Sequence, residues 1–157
     1  MKNRHYLYIF YFLLFGFLVN NNLHSQDNWW KDKKYKTENA RVKYSKCKKV
    51  FVDIGNGFIY SNVYSISQYF NVEVYLNITG EDKGYYSNDQ AKFIIEGFLN
   101  DYPVDNFKWR NSSRSDIYAF ATGKYKYKKN GSLNTFEISI SLNYIDDSWL
   151  IDQIIIN

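Results

Sequence analysis

Histidine is almost missing from this 157-residue sequence: the only two are His5 and His24, and both sit in a segment that reads as a leader. A chain that loses them has no imidazole for a zinc site, a Ser-His-Asp triad or a Cys-His pair, which removes several hydrolase and metal chemistries together. Cysteine is equally scarce. Cys47 stands alone, so no intramolecular disulfide framework forms; its neighbours Lys46 and Lys48 make it a candidate thiolate able to bridge two copies, with a free or incidentally capped thiol as the plainer reading. One proline and 8 glycines exclude a collagen-like or low-complexity chain. No apolar run reaches the roughly 20 residues of a membrane-spanning helix. Aromatic side chains are in excess, 20% of all residues, and the length suits one compact domain with appendages.

Lys2 and Arg4 precede an apolar run, Leu7 to Val19, broken only by Gly16. That is the pattern of a signal peptide, here 1–25, with the cut expected after Ser25 to leave Gln26 as the new terminus. A lipoprotein is disfavoured because no Cys follows the run. Export to the periplasm or the outside of a bacterial cell is therefore expected. Losing Lys2 and Arg4 takes the formal charge from +4 to +2, and the remainder is uneven. Residues 27–49 carry nine basic residues (Lys31, Lys33, Lys34, Lys36, Arg41, Lys43, Lys46, Lys48, Lys49) against Asp27, Asp32 and Glu38, while 50–157 is net acidic. Without a sustained apolar period, 26–49 reads as a polar, flexible basic arm and 50–157 as the folded unit. The arm offers contact with an anionic envelope surface, with a solvated tether as the plainer reading, which leaves Trp29 and Trp30 unexplained.

In the folded unit Phe51, Ile54 and Phe58, then Ile59, Val63, Ile66 and Phe70, follow helical spacing, with Gly55 and Gly57 separating two short helices. Val72, Val74, Leu76 and Ile78 alternate with Glu73, Tyr75 and Asn77, which predicts a half-buried strand closed by Gly80 to Gly84. Ser87 and Gln90 form a capping-box pair ahead of a helix with Ala91, Ile94, Ile95, Phe98 and Leu99 on one face, ended by Pro103. Strands follow at 107–111, 117–127, 133–145 and 149–156, with reversals at Asn130-Gly131 and Asp146-Asp147. The order α-α-β-α-β-β-β-β predicts an α+β fold: a cone-shaped, curved antiparallel sheet with helices packed on its concave face and an apolar interior.

The run NVEVYLNI, the stretch GYYSNDQAKFIIEGFL, the FATGKYKYKKNG hairpin and the closing WLIDQIII together resemble a secreted family found mainly among Bacteroidetes, domain of unknown function family 4783. The resemblance covers roughly 50–157. It implies membership of the nuclear-transport-factor-2-like, or ketosteroid-isomerase-like, superfamily, the cone fold and export, with dimers common for the architecture. It brings no catalytic residue or cofactor to transfer.

Superfamily isomerases and dehydratases use a carboxylate in an apolar pocket beside a hydrogen-bond donor, an arrangement that raises the carboxyl pKa and stabilises a developing oxyanion. The residues that could do so here are Asp152 and Glu73, with Tyr118 and Tyr144 as donors. Against each stands a structural role: Asp152 bonded to a neighbouring strand, Glu73 facing water, the tyrosines in the core. Asp146, Asp147 and Asp152 lack the spacing of a calcium loop and read as turn residues. The lysines of Lys124 to Lys129 read as the wet face of a hairpin that protects a sheet edge, and the acidity of the domain argues against nucleic acid. No metal or cofactor is expected. Two readings stay open: a non-catalytic exported domain binding a small apolar or amphipathic ligand in the cone, or a partner or second copy on the sheet face; or an isomerase- or dehydratase-like enzyme.

Overall fold

The computed structural model describes residues 29–31 and 34–157; the expected leader and the expected cut between Ser25 and Gln26 lie outside them. Helix α1 spans Glu38–Ile59. Thr37 caps it by accepting from the Ala40 amide at 3.2 Å, and Glu38 in the first turn favours the positive end of the helix dipole. Residues 38–49, expected as an arm, are thus the first half of a core helix. Cys47, Val50, Phe51, Ile54 and Phe58 share its buried stripe. The stripe is thin before Cys47, where Trp149 holds the backbone by donating its Nε1–H to the Lys43 carbonyl at 3.0 Å.

Gly55 and Gly57 do not divide this helix. They let it approach its neighbours: a Cβ at Gly55 would lie 2.9 Å from Trp109 Nε1, and one at Gly57 would lie 2.5 Å from the Ile66 side chain. The second expected helix shrinks to α2, Tyr64–Ser67. Helix α3, Asn88–Asp101, begins at the predicted capping box of Ser87 and Gln90 and stops before Pro103.

The strands are β1 Phe70–Ile78, β2 Asp82–Ser87, β3 Val104–Arg114, β4 Tyr118–Lys129, β5 Ser132–Ile145 and β6 Ser148–Ile156. They form one sheet in the order β2-β1-β6-β5-β4-β3. β2 lies where the sequence predicts only a turn, and it pairs antiparallel with β1. The sheet is not wholly antiparallel, because the last strand of the β3 to β6 meander lands beside β1 and runs parallel to it. Asn130-Gly131 and Asp146-Asp147 make their reversals with positive φ at both residues, as two-residue hairpins require. Register shifts in β3, β5/β6 and β1/β6 bend the strands, and β2 and β3 remain free edges, so the sheet curves without closing.

The helices cover the inner face. Phe107, Trp109, Tyr125, Ile138, Ile140, Leu142, Ile151 and Ile154 from the strands are buried with Phe51, Ile54 and Phe58 of α1 and Ile95, Phe98 and Leu99 of α3. Aromatic contacts tile this interior: Phe58 lies 5.0 Å from Phe107 and 5.9 Å from Tyr125, and Phe98 lies 5.3 Å from Tyr125. Rings bury more surface than any other side chains and favour such tilted contacts. The middle of the cone is filled by its own side chains.

Candidate functional site

The two candidate carboxylates meet on the outer face of the sheet. Between the pairs Phe70↔Ile151 and Tyr75↔Gln153, residues Asn71 to Val74 of β1 stand against Asp152 alone. On its other side Asp152 is again the extra residue, since Ser141 pairs with Gln153 and Leu142 with Ile151. A bulge in a central strand resets the alternation: Trp149 and Ile151 face inward before it, Ile154 and Ile156 after it. This is why both faces of that strand look apolar in the sequence. The same irregularity turns Val72 outward, 83% exposed, so the expected inward series begins only at Val74.

The strands part here around a cleft of about 460 Å³, lined by Asn71, Val72, Glu73, Tyr75, Tyr85, Asp152 and Gln153. The rings of Tyr75 and Tyr85 meet edge to face at 5.2 Å. Tyr85 is 74% exposed, so the cleft is open to water. Asp152 Oδ2 accepts from the Asn143 side-chain amide at 3.1 Å, the neighbouring-strand bond expected of a structural Asp. Its Oδ1 is enclosed with no partner. Burial holds the Asp152 carboxyl above the usual carboxylate range, against the opposing pull of its own backbone N–H and the Asn143 amide. Glu73 is exposed. No lining residue is basic.

Tyr118 reaches this region indirectly. Its hydroxyl shares a 2.8 Å hydrogen bond with Ser141, which lies 3.5 Å from Gln153 Oε1 in the cleft. Tyr144 does not belong to it. It lines a different cleft with Lys43, Asp116 and Asp147, donates to Asp147 at 3.1 Å and carries the Lys43 ammonium 3.9 Å above its ring. The four candidates therefore never form one catalytic group. Tyr75, Tyr85, Asn71 and Asn143 carry no signal in the sequence, because a bulge leaves no signature in a pattern of alternation.

Other expectations change as well. Cys47 is a free thiol, the plainer of its two readings; it is 0% exposed and burial pushes it up to about 12, which disfavours the thiolate that the neighbouring lysines suggested. Several cations assigned to the arm are engaged within the fold: Arg41 with Glu38 at 2.6 Å, Lys49 with Asp53 at 2.6 Å, Lys43 over Tyr144. In the lysine hairpin Tyr125 and Tyr127 are buried while Lys128 pairs with Asp105 at 3.1 Å. That strand is internal rather than an edge, because β3 lies beyond it. Among the described residues no group of three or more His, Cys, Asp or Glu is placed to hold a metal, and no helix is long and apolar enough to cross a membrane.

Comparison with known proteins bears on the fold. A DUF4783 family protein from Bacteroides uniformis superposes with a TM-score of 0.62 at 17% identity, over 67% of this chain and 93% of that one. A second, from Bacteroides fragilis, gives 0.60 at 20% identity over 67% and 94%. A ketosteroid isomerase-like protein from Erwinia carotovora atroseptica gives 0.59 at 11% identity over 71% and 92%. At these identities the likeness carries the fold alone. No curated protein matches the sequence. The family model of a domain of unknown function, DUF4783, matches residues 51–157, more than half of the chain, and the chain belongs to that family.

Proposed function

We propose that the chain is an exported, non-catalytic binding domain whose working surface is the outer sheet face at the β1/β6 cleft, where it takes a cationic group carried on an apolar or aromatic body. The observation that supports it is the convergence of Asp152 and Glu73 with the Tyr75 and Tyr85 rings in a cleft without a basic residue. Carboxylates bind an ammonium or guanidinium directly, and aromatic faces add roughly 0.5 to 1 kcal/mol of cation–π attraction at exposed sites. An isomerase-like role fits less well. Its carboxylate would need to be enclosed beside a tyrosine hydroxyl, whereas this cleft is open and the Asp152 bond is to Asn143.

Titration with benzylamine, followed by backbone amide NMR, tests the reading. Shifts are expected at 71–75, 85 and 152–153, lost in Asp152→Asn/Glu73→Gln and absent with benzyl alcohol. Equal response to the amine and the alcohol overturns it. Native mass spectrometry of the protein from its host reports cargo and copy number, including the expected homodimer.

A further inference from the structure

On the inner face, residues 29–31 cross the end of the sheet where the strands supply little bulk. The inward positions of β4 there are Ala119, Ala121 and Gly123; β3 sets Arg114 opposite Ala119 and Ser112 opposite Ala121. Phe107 already occupies the space over Gly123, where a Cβ would lie 2.7 Å from its ring. Over the two alanines the filling comes from the chain's N-terminal side. Trp29 and Trp30 are 5% and 4% exposed, with ring centroids 5.4 Å apart; Trp29 lies 6.0 Å from Phe51 and 5.8 Å from Trp109.

The strap is gripped mainly by its backbone. Ser112 Oγ donates to the Trp29 carbonyl at 2.7 Å, and Arg114 Nη2 donates to the Lys31 carbonyl and to the Tyr35 hydroxyl, each at 2.8 Å. The Arg114 guanidinium lies 4.3 Å from the Trp30 ring centroid and 5.3 Å from that of Tyr44. Its Nε is buried and has no hydrogen-bond partner. A floor of small side chains, aromatic walls and converging donors with one donor unused make a site for a flat apolar body that carries acceptor oxygens. The strap meets that specification with indoles and carbonyls. It precedes the region shared with the family, which begins at residue 51.

We propose that this end of the cone is a binding site for a planar aromatic molecule bearing a carboxylate or carbonyl, and that Trp29 and Trp30 occupy it in cis as a displaceable lid. The site is independent of the outer cleft. An occupant on a short tether competes at an effective concentration in the millimolar range, which weakens the apparent affinity for a free ligand until the lid is removed.

The test uses the full chain freed of its leader, with indole-3-acetate as the probe. Trp29→Ala/Trp30→Ala is expected to bind the probe at least about tenfold tighter than the parent, because the tethered competitor is gone. Adding Arg114→Met should return binding to the parent level. A double variant that keeps the near-ultraviolet circular dichroism of Trp109 and Trp149 yet binds no tighter overturns the proposal, as does binding indifferent to Arg114. If the double variant does not fold, fluorine NMR of the parent labelled with 5-fluorotryptophan decides. Saturating probe must move the Trp29 and Trp30 resonances toward solvent-exposed values while Trp109 and Trp149 stay; four unmoved resonances overturn the lid.

Discussion

Asp152 carries one oxygen bonded to Asn143 and another enclosed without a partner, and this asymmetry has a measurable consequence. Its folded-state pKa lies above the unfolded value, with burial as the main cause. A carboxyl shifted this way favours the folded state while protonated, below the unfolded pKa, and that advantage is lost as pH rises through the folded pKa. Asp152→Asn keeps an oxygen for Asn143 and removes the ionisation. The variant should therefore melt above the parent at pH 7, with the gap closing toward pH 3; a gap that does not change between the two would contradict the burial argument. Binding a cation should pull the same pKa down, so benzylamine affinity should rise with pH over the range where Asp152 ionises. Asp152 is legible as a candidate in the sequence. Its position is not, because a bulge depends on hydrogen bonds to two neighbouring strands that a period of two does not encode.

Two helical glycines give opposite predictions from one rule. Gly57 in α1 meets Ile66 at 2.5 Å and the Asn62 carbonyl at 3.1 Å for an added Cβ, and Ile66 is fully buried. Gly57→Ala should cost about 1–3 kcal/mol through overpacking. Gly97, inside α3, has nothing within 4 Å of the point where a Cβ would stand. Gly97→Ala should gain roughly 0.5–1 kcal/mol by restricting the unfolded chain and favouring the helix; chemical denaturation of both variants checks the signs. The sequence reads Gly57 as a break between helices and runs a helix straight through Gly97, and only the packing around each shows what a side chain there would meet. Elements whose cause is local are readable: the Ser87/Gln90 capping box, the Asn130-Gly131 and Asp146-Asp147 reversals, and the strict alternation of β5. Elements whose cause is tertiary are not. β2 owes its pairing to β1, and the first half of α1 owes its seat to Trp149 and Tyr44, whose hydroxyl donates to Asp116 at 2.5 Å.

At the scale of the whole molecule, the closing strand β6 sits in the middle of the sheet, parallel to the first strand on one side and antiparallel to β5 on the other. α1 is tied to the sheet by indole bonds from two strands, Trp149 to the Lys43 carbonyl and Trp109 to the Phe51 carbonyl, each at 3.0 Å. Cys47 lies between these two ties on the buried stripe of the helix. Its thiol becomes accessible only when α1 leaves the sheet, so a thiol reagent reports that event. For a domain of ordinary stability, about 5 kcal/mol or more, labelling should run at least three orders of magnitude slower than for a free thiol at the same pH. Ile154 on β6 is fully buried and makes no bond to α1. Ile154→Ala should cost about 3 kcal/mol, and if α1 leaves only when the sheet opens, Cys47 labelling accelerates by the same free energy, on the order of a hundredfold. Labelling unchanged by Ile154→Ala would instead mean that α1 detaches from an intact sheet. The interior beneath it would then open as a local event.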